Sequence, residues 1–442
     1  MKTVAIVFVL MIVFGISLIF FQQIYYTLVV TVYHTMIRIA ALFNKKAKLW
    51  VNGRKNLFAR LEPVFSLPAK KTVWFHCASL GEFEQARPVI EKLKRKDTQV
   101  RILLTFYSPS GYEIRKDYTF ADHVDYFPAD TRTNAKKFLS IVKPDIAIFV
   151  KYEFWLHHIS AIHEQKIPLY LISSIFRKKQ LFFKWYGRLH KEILKKYTRI
   201  FVQNQESLDL LSSIKIKNAE ISFDTRFDRV KEIAATSNSY PEIETFVEGY
   251  NIIIGGSTWP TDERILAKAF YRKLVHLKFK LIIVPHNVDV KYMKQTKKRF
   301  KKFSLLWSNI GKALPEDLKG KRVLVIDNIG MLSSIYKYGH INYIGGGFGK
   351  GVHNTLEAAV YGKPLIIGPR YKKFNEAVEM VKENAAFEIT DADDVINRLD
   401  LMNHFQFVYT GAGKDAKNYV DSHVGGTDKI VRELKKVLSS GF

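Results

Sequence analysis

The sequence is short of cysteine and of acid. Cys77 is the one cysteine in 442 residues, which excludes an intramolecular disulfide framework and any cysteine-rich zinc site. It fits a reducing compartment, or a fold that needs no covalent staples. Asp plus Glu number 42 against 69 Lys plus Arg, so the formal charge is +27 and an anionic partner is called for: nucleic acid, an anionic membrane face or a phosphorylated substrate. Internal repeats and low-complexity tracts are absent. Hydrophobic residues make up 47%, which excludes disorder as the main state, and the length suits about two to three domains.

Charge of either sign is missing from residues 3–37, and residues 4–21 form an apolar run relieved only by Gly15 and Ser17. A bilayer takes roughly 20 apolar residues, so the run is long enough to cross one. A signal peptide is the competing reading, since Lys2 precedes the run, but the bulky Phe20-Phe21-Gln22-Gln23 that follows offers no small-x-small cleavage site. An uncleaved anchor is expected. Arg38, Lys45, Lys46, Lys48, Arg54, Lys55, Arg60, Lys70 and Lys71 come next with Glu62 as the one acid, which by the positive-inside rule puts the bulk of the chain on the cytoplasmic side. Residues 24–43, with Tyr25, Tyr26, Tyr33 and His34, read as an interfacial continuation; a hairpin of two spans is the alternative.

Past residue 70, short β-branched runs alternate with charged helical stretches, the pattern of parallel sheets with crossover helices. Strands are expected at 73–76, 101–105, 146–150, 169–172 and 200–203, then at 252–255, 280–284, 322–326, 342–344 and 365–367. Residues 207–250 are polar and weakly periodic, so a hinge is placed there. The expected fold class is α/β: two Rossmann-like, doubly wound domains facing a cleft, over residues 44–235 and 236–442, behind an anchor and interfacial segment at 1–43. Ligands in such sheets bind beyond the carboxyl ends of the strands.

The glycine-dense stretch Gly345-Gly346-Gly347-Phe348-Gly349-Lys350-Gly351 follows one of those strands. No Lys-Ser/Thr pair closes it and it lacks the dinucleotide spacing, so ATP hydrolysis and NAD chemistry are poorly supported. It runs into His353-Asn354-Thr355-Leu356-Glu357-Ala358-Ala359, read as a helix whose amino end can receive a phosphate. Asn354 with Glu357 is equally a capping box that needs no ligand. Gly368-Pro369-Arg370 makes a second loop on the same rim. Gly255-Gly256-Ser257-Thr258 lets backbone approach a phosphate or acidic sugar, or simply caps a helix. His286, after Val284-Pro285, suits a nucleotide contact or a structural role.

In the first half, Glu82 stands where a strand end meets a helix amino terminus, whose dipole favours the ionised carboxylate that could take a proton from a sugar hydroxyl. Spacing alone describes an ordinary first-turn acid as well. Lys151 and Glu153 lie at another strand end, either as a solvated ion pair or as part of the site. Residues 176–199 set Arg177, Lys178, Lys179, Lys184 and Arg188 among Phe176, Phe182, Phe183, Trp185 and Tyr186. Cations beside bulky rings describe a surface that lies on an anionic bilayer, or a nucleic-acid patch; the amino-terminal run favours the membrane.

These residues carry a family likeness. Ser79-Leu80-Gly81-Glu82, Pro109-Ser110-Gly111, Tyr152-Glu153-Phe154-Trp155, Lys166-Ile167-Pro168-Leu169, the stretch 223–228, Val284-Pro285-His286 and the block 345–369 occur in the order found in the Kdo transferases of lipid A assembly, which the chain resembles over nearly its whole length. The resemblance implies a GT-B glycosyltransferase that passes Kdo from CMP-Kdo to lipid IVA, with inversion, at the cytoplasmic face of the inner membrane. Anionic inner-membrane lipids are then partners and nucleic acid is not. By position, Glu82 is similar to the family's general base. Arg226 falls where a Lys steadies transition-state charge, and Pro285 and His286 match a CMP-contacting loop that often has Arg at the second place. Ile329, Gly330 and Met331 match a further CMP-contacting turn, with Met331 where many members carry Glu. Asn354, Thr355, Leu356 and Glu357 match the nucleotide-contacting helix start. Lys151 inverts the charge of a position that is Glu in many members, so a role there does not carry over.

An activated sugar on a single phosphate needs only a modest set of cations to receive the leaving charge, and no Asp-x-Asp arrangement suited to holding a metal at the donor phosphate stands out. Neither a metal nor a cofactor is expected. The rival readings are a GT-B enzyme using a UDP-sugar on another lipid acceptor and a membrane-tethered binding protein on an inactive fold.

Overall fold

The computed structural model describes residues 2–67, 71–311 and 320–439, with the side chains of residues 2–20 excepted. Seven strands build the first sheet: β1 Lys71–Cys77, β2 Val100–Phe106, β3 His123–Tyr126, β4 Ile146–Val150, β5 Leu169–Ser174, β6 Arg199–Val202 and β7 Ala219–Ile221. Seven more build the second: β8 Asn251–Thr258, β9 Phe279–Pro285, β10 Ser304–Leu306, β11 Val323–Val325, β12 Ile341–Ile344, β13 Leu365–Ile367 and β14 Ala386–Glu388. Their orders are β3-β2-β1-β4-β5-β6-β7 and β10-β11-β9-β8-β12-β13-β14, and every pairing is parallel. Helices cover both faces, so the central strands read as continuous Val, Ile and Leu runs rather than alternating ones. β4, Ile-Ala-Ile-Phe-Val, is buried at every position.

The ten expected strands are all present. The four that the sequence did not suggest, β3, β7, β10 and β14, have three or four residues each and lie toward the sheet edges, too short for any periodicity to register. The segment read as a hinge is largely structured, holding β7 and the helices Arg226–Ala235 and Pro241–Val247.

Contacts divide the chain into two compact units, residues Met1–Arg226 with Gly425–Phe442, and Phe227–Val424. The division thus falls inside the expected hinge but ahead of residue 235, and the last helix, Gly426–Ser439, returns to the first unit. Its physical reason is an amphipathic face. Ile430, Val431 and Leu434 join Phe75, Val89 and Leu93 in one buried cluster, and Lys92 meets Asp428 at 2.6 Å.

The first helix runs Lys2–Ala40. The anchor expected over residues 4–21 falls almost wholly on side chains outside the described residues. Among the described residues no single helix is long and apolar enough to cross a membrane, while Phe21–Ala40 and Lys45–Gly53 meet that standard only as a pair bent by 119°. One side of this helix is bonded to its own unit: the Tyr26 hydroxyl donates to Asp130 at 2.6 Å, Thr27 lies 3.0 Å from His157, and His34 is buried beside Trp50. The other side leaves Phe21, Tyr25, Leu28, Val32, Met36 and Ile39 exposed, followed by Leu42 and Phe43.

The strand order reverses between β1 and β4 in the first sheet and between β8 and β12 in the second, and the loops leaving those strands border the crevice in which doubly wound sheets take ligands. Close packing fixes the second of these. A Cβ on Gly256 would stand 1.9 Å from the hydroxyl of fully buried Tyr336, so this glycine is required by its neighbour before any ligand arrives. Gly256→Ala is expected to cost about 1–3 kcal/mol of stability through overpacking, with only partial recovery on adding Tyr336→Phe, as measured by urea denaturation.

Candidate active site

On the first unit, β1 ends at Cys77 and Ser79 caps the helix Leu80–Lys96, accepting from Gly81 N at 3.3 Å. The helix is held by Phe83, Ala86, Val89, Ile90 and Leu93, which recur at helical spacing and are all buried. That leaves Glu82 half-buried in the first turn, where the Ser79 hydroxyl donates to its Oε2. Glu82 is therefore a positioned carboxylate at the strand switch. Directly behind it, burial first and the Glu82 charge second push the Cys77 thiol far above its ordinary range, so Cys77 stays an inert core group.

The loop after β4 opens with Lys151 in a left-handed conformation, φ 69°. Glu153 turns inward, to 4% exposure. Its Oε2 lies 3.0 Å from His76 Nε2 and also accepts from the Trp155 indole, while the Tyr197 hydroxyl donates to its carbonyl. Glu153 thus supports the loop from below and offers no free carboxylate to replace the acid missing at Lys151.

Arg226 reaches this rim through a relay. Asp224, buried, accepts from Arg226 N at 2.9 Å, from Arg226 Nη2 at 2.8 Å and from Gln85 Nε2 at 2.7 Å, and Gln85 stands one turn beyond Glu82 on the same helix. Burial alone would raise the Asp224 pKa, but the Arg226 charge and these hydrogen bonds overcome it and hold the carboxyl below its usual range. The structure brings the Glu82 helix and Arg226 to one edge of the first unit.

On the second unit, Trp259 follows β8 directly, His286 follows β9, and the glycine loop follows β12. Asp262 ties the loop down: it accepts from Gly346 N at 2.9 Å, Trp259 N at 2.8 Å and the Tyr343 hydroxyl at 2.7 Å. The loop closes on itself through Gly349 N and Gly351 N, both donating to Gly346 O. Arg370 N donates to Gly347 O, so the Gly368-Pro369-Arg370 loop does lie against it. Together they line a cavity of about 1110 Å³ with Trp259, His286, Phe348, Lys350, His353, Arg370, Lys372 and Lys373. Three rings stack at its wall: His286 is 4.7 Å from Trp259 and 4.5 Å from His353, each at 22°. The Trp259 indole N–H donates to His353 Nε2 at 2.9 Å, so the His353 proton sits on Nδ1. Burial, then the neighbouring His286, push the His353 pKa down to about 4, and burial lowers that of His286.

Of the second-unit candidates, His286 lines this cavity, while Ser257 and Thr258 are the last residues of β8 just before Trp259, with Ser257 at φ 50°. Pro285 is buried at the end of β9. Ile329, Gly330 and Met331 form a separate turn: Ile329 is 80% exposed, Gly330 has φ 94°, and the Met331 side chain is in the core. Asn354 Oδ1 accepts from Leu356 N and its amide donates to the Glu357 side chain at 2.9 Å, a local turn ahead of the helix and not the expected capping box, since the cap residue is Thr355 and makes no side-chain cap bond. Leu356 and Thr355 are fully buried. The helix expected to receive a phosphate is one turn, Leu356–Ala359, too short for a substantial dipole. Trp259 and the cations at 372 and 373 went unread in the sequence; an aromatic immediately after the Gly-Gly-Ser-Thr strand end was the available signal.

Arg177, Lys178, Lys179 and Arg188 are exposed and Lys184 is half-buried, around Trp185 at 92% exposure. Gln22 of the first helix accepts from Leu189 N at 3.1 Å, which joins this basic, aromatic loop to the exposed apolar stripe. Arg177 also donates to the Tyr152 hydroxyl, at 3.1 Å. Among the described residues no group of three or more His, Cys, Asp or Glu is arranged for a metal. Asp391, in the stretch Asp391-Ala392-Asp393, caps a helix by accepting from Asp393 N and Asp394 N.

Residues 54–229 match the family model for 3-deoxy-D-manno-octulosonic-acid transferase (kdotransferase). The 3-deoxy-D-manno-octulosonic acid transferase of Aquifex aeolicus is 30% identical over 337 residues, covering 75% of this chain and 85% of that one. The enzyme of the same name from Rickettsia typhi is 26% identical, covering 75% and 71%. Among solved structures, the UDP-GlcNAc 2-epimerase of Neisseria meningitidis bound to UDP-GlcNAc superposes with a TM-score of 0.57 at 16% identity, over 83% of this chain and 100% of that one. That likeness bears on the fold alone, which is the expected GT-B type.

The ring stack has a pH signature. An unfolded histidine takes a proton near pH 6.5 but His353 does so only near 4, so between these values the unfolded state binds more protons and the fold loses stability as pH falls. His353→Gln is expected to flatten the fall in melting temperature between pH 7 and pH 5, and an unchanged slope would count against the neutral stack.

Proposed function

We propose, for a chain that belongs to the 3-deoxy-D-manno-octulosonic-acid (Kdo) transferase family, that it transfers Kdo from CMP-Kdo to lipid IVA with inversion at the anomeric carbon. Membership makes it a glycosyltransferase; donor, acceptor, stereochemistry and residue roles are the proposal. The observation that carries it is Glu82, a carboxylate fixed by Ser79 at the strand switch, on the helix to which Arg226 is tied through Gln85 and Asp224.

In this reading Glu82 takes the proton from a glucosamine hydroxyl of the acceptor. The hydroxyl oxygen forms its bond to the anomeric carbon of Kdo as the bond from that carbon to the CMP phosphate oxygen breaks, and the electron pair leaves with CMP. Arg226 steadies the departing negative charge. Its guanidinium keeps one-quarter exposure although Asp224 holds it, so orientation is fixed while the charge stays presentable. The nucleotide contacts fall to Gly256, Ser257, Thr258, Pro285 and His286, the turn Ile329-Gly330-Met331, and residues Asn354, Thr355, Leu356 and Glu357. Met331 and Leu356, being buried, contribute through backbone.

The cytoplasmic face of the inner membrane is the proposed location. The uncharged run of residues 3–37, the exposed apolar stripe of the first helix and the cations of residues 176–199 support it. A bisphosphorylated glycolipid among anionic headgroups is the surface that such a stripe with a basic flank suits.

Two outcomes are expected. Glu82→Gln should lower transfer by about 10²–10⁴-fold, the usual worth of a general base, with CMP-Kdo binding nearly intact by calorimetry; full turnover would remove Glu82 from the role. Protein lacking residues 1–43 should still bind anionic vesicles at low salt, release them at high salt, and lose binding when Arg177, Lys178, Lys179, Lys184 and Arg188 become Ala. Indifference of the truncated protein to vesicles would leave the charge without this explanation.

A further inference from the structure

The cavity beside the three-ring stack has a chemistry unlike that of a base or ribose site. Four cations border it, Lys350, Arg370, Lys372 and Lys373, all exposed. Asp262, the one carboxylate in its lining, is buried and meets two backbone N–H groups and a tyrosine hydroxyl, so its charge is answered from within the protein. His286 and His353 are neutral near pH 7, with burial lowering both. The site is therefore strongly electropositive without a free acid to offset it.

Its walls are as specific as its charge. Arg370 is fixed across the mouth, its Nη1 donating to Gly349 O at 2.7 Å, which pre-orders a planar fork of donors of the kind that matches a carboxylate. Trp259 offers a flat, partly exposed face held from behind by His286 and His353. The residues assigned to the nucleotide, Ile329-Gly330-Met331 and Asn354 to Glu357, do not line this space; His286 alone is common to both. What remains of the donor once the nucleotide is accounted for is a sugar bearing a carboxylate.

We propose that this cavity is the subsite for the carboxylated sugar of the donor, with Arg370 and the neighbouring lysines binding the carboxylate and Trp259 carrying the sugar ring. The inference rests on the donor assigned above and adds which residues select an acidic sugar over a neutral one. A neutral hexose gains nothing from four cations, whereas a sugar acid pairs with them.

Calorimetry on the full chain without acceptor tests it, using CMP-Kdo, CMP, free Kdo and the uncharged methyl ester of Kdo. Arg370→Ala should weaken CMP-Kdo by about tenfold or more, as expected for loss of a charge-assisted bidentate contact, and leave CMP within about twofold. Since Arg370 also bonds the glycine loop, the exposed pair Lys350→Ala/Lys373→Ala provides a second arm with the same expected split. Equal loss of CMP and CMP-Kdo would assign the cations to the nucleotide phosphate and overturn the proposal, as would no loss for either. Should the wild-type chain bind neither nucleotide, the proposed donor is wrong. Free Kdo against its methyl ester then decides the cavity on its own: carboxylate-dependent binding that Arg370→Ala abolishes supports it, and equal or absent binding of the two overturns it.

Discussion

Parallel strands buried on both faces leave no room for polar chemistry within the sheet, so every functional group must come from the loops at the strands' carboxyl ends. In this chain the loops beside β1 and β4 and beside β8 and β12 hold Glu82, Trp259 and the glycine loop, while Arg226 follows β7, His286 follows β9 and Arg370 follows β13. Ser79 and Glu82 leave β1, and Lys151 and Glu153 leave β4. Trp259 leaves β8, and the glycine loop leaves β12. The rest is support: Asp224 for Arg226, Glu153 for its own loop, Asp262 for the glycine loop. Each supporting carboxylate is buried and hydrogen-bonded, which is the condition under which such a group can be carried in a core.

The two rims divide the chemistry. The first presents a carboxylate positioned by Ser79 and a guanidinium tethered by Asp224, the pair to which the proposed reaction assigns proton removal and the departing charge. The second presents cations, a flat aromatic face and glycines that neighbouring backbone makes obligatory: a Cβ on Gly345 would lie 2.3 Å from Ser257 O, and one on Gly347 would lie 2.7 Å from Gly368. The glycines therefore bring two loops together first, and whatever they admit second.

Strand positions and the alternation of elements were legible because long β-branched runs and helical spacing survive without tertiary context. The strand-end positions of Glu82 and His286 were legible because the strands that precede them were. What stayed hidden depends on partners distant in sequence. Nothing near residue 153 shows that Glu153 turns inward to His76, and nothing near residue 262 shows that Asp262 reaches Gly346. The return of Gly426–Ser439 to the first unit is equally silent, because an amphipathic helix does not name the surface it covers. The one-turn helix Leu356–Ala359 was overread: Asn354 and Glu357 have the spacing of a cap, and a cap says where a helix starts but not how long it runs. Part of the excess charge, unassignable from composition, gathers in a basic aromatic loop joined to the first helix and in a cationic cavity in the second unit.

Mass spectrometry of the lipid product reads the identity of donor and acceptor most directly. Lipid IVA incubated with the full chain and CMP-Kdo is predicted to gain mass in whole Kdo residues, with no gain from any UDP-sugar. Unmodified lipid IVA beside a product formed from a UDP-sugar would contradict the account.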